Sequence, residues 1–240
     1  NLIAHLTATF VVLLSSSTLL SAEAPVTDDV KVISDIIYKS GELSDYEKER
    51  CKLDLYLPAG KKDFATVVYF HGGDLKAGDR TEKGTVEWAR SFAKAGLAVV
   101  CANYRFSPKV KYPAYNQDAA AAFAWTHKHI TEHGGDPKKT FISGHSAGGY
   151  LTLIVSLDGR YLKSCGLDLP AIAGAIPISG QTITHTTIRE ERGLAKFTVT
   201  ADEAAPVYYG RKETPPMLLL YGDRDMAARA EENAYFVAVM

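Results

Sequence analysis

The stretch that most constrains the fold is residues 141–150, FISGHSAGGY. A short apolar strand runs into a tight turn at Gly144-His145-Ser146-Ala147-Gly148, and an apolar run that suits a helix follows. This is a G-x-S-x-G pattern in a strand–turn–helix setting. A serine on so sharp a turn sits in strained backbone, and its neighbours two residues away must lack side chains to avoid a clash. The turn lifts the Ser146 hydroxyl out of the sheet. It also aims a helix N-terminus, with the Ala147 N–H, at negative charge forming on a bound carbonyl. A glycine-rich β–α turn with a capping serine gives the same five letters, so the rest of the chain has to decide.

The 240 residues are 46% hydrophobic with a net charge of −1, enough for one α/β domain with a substantial core. So balanced a charge leaves no electrostatic footprint for nucleic acid. There is no run of like charge and no internal repeat. Cys51, Cys101 and Cys165 lie far apart without metal-ligand spacing, and Cys51 and Cys101 read as small buried hydrophobes. One disulfide is compatible with them, but no pair is singled out. Residues 1–24 read as a processing segment: 10–20 are apolar and Ser-rich, and Ala22-Glu23-Ala24 offers a cleavage site before Pro25. The apolar run is too short for a membrane span. The basic region is missing and the chain starts at Asn1. The expectation is a signal peptide without its first residues, a domain over 25–240, and a mature protein that is secreted or periplasmic with no membrane span.

Residues 25–50 are polar around one apolar piece at 30–38. Residues 51–57 alternate with period 2 up to Pro58, which predicts a half-exposed strand near an antiparallel edge. Residues 65–70 form a continuous β-prone run, as in a buried parallel strand, and end on His71-Gly72-Gly73-Asp74. A helix over 87–95 closed by Gly96 follows, then a buried strand over 97–102 and the loop Asn103-Tyr104-Arg105. The Ala-rich 116–129 suits a helix, 134–137 a turn, and the helix after Ser146 ends near Asp158. Residues 172–179 read as a strand despite Pro177. The long, charged, weakly periodic 181–210 reads as a small lid or insert over the site. A strand at 217–221 leads to Gly222-Asp223-Arg224-Asp225, and 228–240 suits a helix. Alternating strands and helices from about residue 65 predict a mostly parallel central sheet with helices on both faces. Chemistry in such sheets gathers at the carboxyl ends of the strands. His71-Gly72-Gly73, Asn103-Tyr104-Arg105, Ser146 and Asp223/Asp225 all fall there and should converge.

Several motifs occur in a familiar order: His71-Gly72-Gly73; Tyr104-Arg105 with Pro108; Tyr112-Pro113-Ala114 followed by Asp118; Gly135-Asp136-Pro137; and Gly144-His145-Ser146-Ala147-Gly148-Gly149. Together they resemble the α/β-hydrolase family, over about residues 50–240. Within it they look like the esterase/lipase branch with an HGG oxyanion loop, akin to hormone-sensitive-lipase-like and feruloyl-esterase-like enzymes. The resemblance implies the α/β-hydrolase fold. It also implies a serine hydrolase that cleaves a small-molecule carboxylic ester through an acyl-enzyme, with no metal or organic cofactor. Ser146 is then the nucleophile. Asp225, three residues after Gly222, is the acid, with Asp223 as its rival. The oxyanion hole is the Ala147 N–H with backbone donors from Gly72, Gly73 and Asp74. Many relatives have a third glycine where Asp74 stands, and an inward-pointing carboxylate there would oppose an oxyanion. His71 reads as a loop-fixing ring, Arg105 and Asp118 as a scaffolding ion pair, and Trp88 and Trp125 as packing.

Acyl transfer by serine needs a base, and the family order is Ser, Asp, then His after one more strand. The last of the seven histidines is His185. The His145 side chain should diverge from the hydroxyl, and His127, His129 and His133 read as surface. His185, in the candidate lid, would break the order. The expectation is therefore that the last strand and helix, and the histidine with them, lie beyond Met240, and that this chain alone is a feeble catalyst. An amidase, lactonase or peptidase of the same fold stays open, as does a non-catalytic binding protein, because site and fold do not fix the leaving group.

Overall fold

β-Branched and aromatic runs build the centre of the molecule. The computed structural model describes residues 30–210 and 214–240. Its strands are β1 (Val30–Ile37), β2 (Lys52–Pro58), β3 (Phe64–Phe70), β4 (Ala98–Ala102), β5 (Gly135–His145) and β6 (Gly174–Ile178), in one sheet ordered β1-β2-β4-β3-β5-β6. β2 is antiparallel to both its neighbours, and β4, β3, β5 and β6 are mutually parallel. Parallel bridges from Ala175 to Met217 and from Ile178 to Leu220 extend the sheet beyond β6. The helices are α1 (Asp45–Arg50), α2 (Lys83–Lys94), α3 (Ala114–His129), α4 (Ala147–Leu157), α5 (Gly159–Ser164), α6 (Thr186–Glu191) and α7 (Arg229–Val239). The candidate signal peptide lies outside the described residues.

The side-chain period of 2 sends β4 to two different cores. Ala98, Val100 and Ala102 join the larger core with Phe123 of α3 and Leu151 of α4. Val99 and Cys101 meet Ala89 and Ala93 of α2 on the opposite face. The sheet thus carries helices on both sides, as expected. Phe236 of α7 packs on Leu153 and Leu157 of α4. Among the described residues no helix is long and apolar enough to cross a membrane. All three cysteines are unpaired.

Three local expectations are corrected. β2 is not a half-exposed strand at an edge; it lies between β1 and β4, and every residue from Leu53 to Pro58 is buried. Its alternation misleads because Asp54, 2% exposed, is compensated inside: Arg80 Nε lies 3.0 Å from its carboxylate and the Asp35 N–H donates to it at 2.8 Å. The edge is β1. The predicted turn at 134–137 is largely strand, since β5 begins at Gly135, opposite Phe64. Finally, α2 starts at Lys83, about a turn before the expected 87.

Arg105 and Asp118 form the expected pair. Asp118 is fully buried, and Arg105 donates to its two oxygens from Nε and Nη2 at 2.8 Å each. Lys39 reaches the same carboxylate at 2.5 Å, and Glu47 in turn meets Lys39 at 3.0 Å and Arg105 at 3.3 Å. This network ties β1 and α1 to the loop after β4.

Candidate active site

Ser146 joins β5 to α4 with φ 54° and ψ −114°, a conformation that costs a residue with a side chain about 1–3 kcal/mol. The surroundings hold it there. The Ser146 N–H donates to Ile178 O at 2.8 Å, and every residue of α4 is buried. A methyl on Gly144 would lie 2.4 Å from Gly148 O, and one on Gly148 would lie 2.0 Å from Phe70 O. The elbow can therefore form only with glycine at both places. The Ser146 side chain makes no capping hydrogen bond. Ala147 is the first helical residue, where N–H groups have no intrahelical partner.

The chain leaving β3 wraps beside this serine. A Cβ placed on Gly72 would be 3.4 Å from Ser146 Cβ, so the bare backbone of this turn lies against the Ser146 side chain. Gly73 has φ 112°, and a Cβ there would meet Ala77 O at 2.1 Å. The Lys76 and Ala77 N–H groups both close on Gly73 O at 2.9 Å. The N–H groups of Gly73 and Asp74 donate to no protein acceptor among the described residues. His71 is 2% exposed and stacks on Tyr104 at 4.6 Å. Burial lowers its pKa, so the ring is neutral; its Nδ1–H donates to Gly72 O at 2.6 Å. The Tyr104 hydroxyl donates to His71 O at 2.9 Å. His71 thus fixes the turn, the role read from the sequence.

At the far side of β6, Asp225 is half-buried and Asp223 is exposed. Asp225 Oδ1 accepts the Met226 N–H at 2.7 Å, while its Oδ2 is buried without a partner. Burial pushes the carboxyl up, but the nearby polar groups of Ser179, Met226 and Gly222 and the charge of Arg229 outweigh it and hold the pKa below the ordinary carboxylate range. An ionised carboxylate with one unused buried oxygen is an acceptor suited to an imidazole N–H.

No described histidine hydrogen-bonds Ser146 or Asp225. His145 is exposed. His185 Nδ1 accepts the Thr187 N–H at 3.2 Å, and its Nε2 faces Asp74 Oδ1 at 3.8 Å. The first part of the candidate lid, residues 181–189, is buried, and residues 192–197 are exposed. The buried part sits against the turn after β3, where the Thr187 hydroxyl donates to Asp74 O, a contact that no motif in the sequence announces. A cleft of about 660 Å³ opens beside Gly72, Gly73 and His145. Trp88 lines it while packing 4.7 Å from both Tyr69 and Phe92, so a residue read as packing also forms a wall of this cleft. Among the described residues no cluster of His, Cys, Asp or Glu could hold a metal ion.

Comparison with known proteins gives the same picture. Residues 53–168 match the BD-FAE family model. A probable carboxylic ester hydrolase, LipM of Mycobacterium tuberculosis, is 31% identical over a 162-residue alignment that covers 60% of this chain and 38% of that protein. An acetyl-hydrolase of Streptomyces hygroscopicus is 30% identical over a 205-residue alignment that covers 77% of this chain and 66% of that one. The chain spans less than half the length of the first curated relatives it matches. Among solved structures, a thermophilic esterase of Thermogutta terrifontis superimposes with TM-score 0.68 at 25% identity, covering 88% of this chain and 77% of that one. Sequence relatives are ester hydrolases and a solved esterase shares the fold, and the chain belongs to the α/β-hydrolase esterase family.

Proposed function

We propose that this chain carries the core of a serine hydrolase that cleaves small carboxylic esters. The observation that carries the reading is the meeting of a free serine hydroxyl on a strained elbow with the unpartnered N–H groups of Gly73 and Asp74. Ser146 Oγ attacks the ester carbonyl. The oxygen gains negative charge and is held by the Ala147 N–H and the turn's N–H groups. The tetrahedral centre collapses, the alcohol leaves, and Ser146 carries the acyl group until water releases the acid. Losing one donor of such a hole costs about 10²–10³ in rate.

Serine needs a base to take its proton, and the family order puts a histidine after the acid. The unused Asp225 Oδ2 supports Asp225 over Asp223 as the acid that orients it. The leader-like residues 1–24 support export of the protein. Secretion of a reporter fused to them, with a cut after Ala24, tests that directly.

The catalytic reading is tested with p-nitrophenyl acetate and mass spectrometry. The expected result is acetylation of Ser146, or turnover with release of p-nitrophenolate, and neither in Ser146→Ala. p-Nitrophenolate release that is equal in Ser146→Ala would overturn the assignment.

A further inference from the structure

The oxyanion turn contains two consecutive non-glycine residues in the left-handed region, Asp74 at φ 58° and Leu75 at φ 59°. L side chains disfavour that conformation, so something must hold it. Two peptide planes matter. The plane between residues 73 and 74 carries Gly73 O on one side and the Asp74 N–H on the other. It is fixed by the Lys76 and Ala77 N–H groups, both 2.9 Å from Gly73 O. The next plane carries Asp74 O and the Leu75 N–H. Its oxygen accepts the Thr187 hydroxyl, from 113 residues further along the chain. Both ends of residue 74 are then pinned, and its N–H has one direction.

Thr187 is itself held. It is fully buried at the start of α6, and its N–H donates to His185 Nδ1 at 3.2 Å. The Thr186 N–H and hydroxyl both donate to Gln181 Oε1, at 3.0 and 2.9 Å. Because Nδ1 accepts, the proton of neutral His185 sits on Nε2, the nitrogen facing Asp74 Oδ1 at 3.8 Å. The ring is 2% exposed. Burial first, then the charges of Arg229, Arg189 and Lys76, keep its pKa at about 3. It is neutral throughout the working range, and so is a fixed N–H dipole rather than a base.

Granting the serine-hydrolase reading above, we propose that Thr187 and His185 are positioning residues of the oxyanion hole. Thr187 anchors the Asp74 peptide so that the turn's N–H groups face the reacting carbonyl. His185 Nε2–H draws the Asp74 carboxylate aside, out of opposition to the charge forming on the substrate. The segment 181–192 is thereby a strut of the hole.

The test is the rate of Ser146 labelling by a fluorophosphonate on the full chain, resolved into a limiting rate and a half-saturating concentration. Thr187→Val should lower the limiting rate by about 10²-fold, the usual loss for a misplacement of about 1 Å, with half-saturation nearly unchanged. Thr187→Ser, which keeps the hydroxyl, should restore most of it. His185→Gln should slow labelling, and adding Asp74→Asn to it should recover the rate by removing the carboxylate. Thermal melts of each variant separate loss of fold from loss of positioning. Should Thr187→Val fail to fold, the Ser variant and the His185/Asp74 pair still decide. A Thr187→Val protein that labels like the wild type, or a Thr187→Ser protein as slow as Thr187→Val, overturns the role of Thr187. Failure of Asp74→Asn to rescue His185→Gln overturns the role of His185. A wild type that does not label at Ser146, even after an exposure long enough to label a serine esterase deprived of its histidine, removes the hydrolase reading itself, and this proposal with it.

Discussion

Replacing Gly148 with alanine tests the close approach on which the site is built. On the present backbone the new methyl would lie 2.0 Å from Phe70 O, 2.6 Å from Phe70 C and 2.8 Å from His71 O. All three are main-chain atoms of β3 and the turn after it, so no side-chain rotation relieves the clash. Carbon contacts are comfortable at about 3.5–4.0 Å, so α4 and the end of β3 must part by about 1 Å or more. Overpacking of this kind costs about 1–3 kcal/mol. In a domain of this size each kcal/mol moves the melting temperature by roughly 2–4 °C, so a fall of about 2–12 °C is expected. The chemical effect is larger, because the parting separates Ser146, just before α4, from Gly72–Asp74, just after β3. A 1 Å error in such a geometry costs about 10²-fold. Differential scanning fluorimetry and fluorophosphonate labelling kinetics read the two effects. Gly84→Ala is the control: nothing lies within 4 Å of its Cβ position in α2, and it should be neutral or stabilising by up to about 1 kcal/mol. A Gly148→Ala protein that melts and labels like the wild type would refute the reasoning.

Asp225→Asn should reduce aryl-ester hydrolysis by the complete site about 10²-fold or more, as loss of a triad acid does, whereas the exposed Asp223→Asn should not; equal losses, or a larger one at Asp223, would reverse the assignment of the acid. Glu47 is held at a pKa of about 2 by hydrogen bonds from Lys39 and Ser44, below the unfolded value of about 4.3. Its folded pKa is depressed, so its contribution is full above about pH 4.3 and is lost as pH falls towards 2; Glu47→Gln should flatten that part of the acid limb in thermal melts taken between pH 6 and 2. A thiol reagent such as DTNB should modify Cys165 in the native protein and spare Cys51 and Cys101, which are fully buried, the Cys51 thiol being pushed up to about 11 by burial; three equivalents of reaction without denaturant would contradict the packing.

What was legible in the sequence was whatever depends on local backbone. The elbow shows because glycine at 144 and 148 is required by contacts two residues away from Ser146. His71-Gly72-Gly73 shows because a strand end and a positive φ demand it. The capping box at Ser44 and Glu47 that starts α1 was also available as an S-x-x-E signal, although the polar composition of 25–50 hid it. What stayed hidden depends on distant partners. Asp54 looked like an outward-facing residue until Arg80 and the Asp35 N–H compensated it. Gly135 looked like a turn because nothing local reveals Phe64 opposite it. The Thr187–Asp74 contact is the clearest case: the two residues are far apart in the chain, and a threonine in a charged, weakly periodic segment carries no sign that its hydroxyl is bound to the turn after β3. Pattern reading finds the parts of a site that the backbone dictates and misses the parts that another segment supplies.

The most direct measurement is to treat the protein with a fluorophosphonate and map the adduct by peptide mass spectrometry. A single phosphonyl group on Ser146, prevented by prior denaturation and absent from Ser146→Ala, is the predicted result. An adduct on another residue, or none even after an exposure long enough to label a serine esterase deprived of its histidine, would contradict the assignment of Ser146 as a nucleophile facing an oxyanion hole.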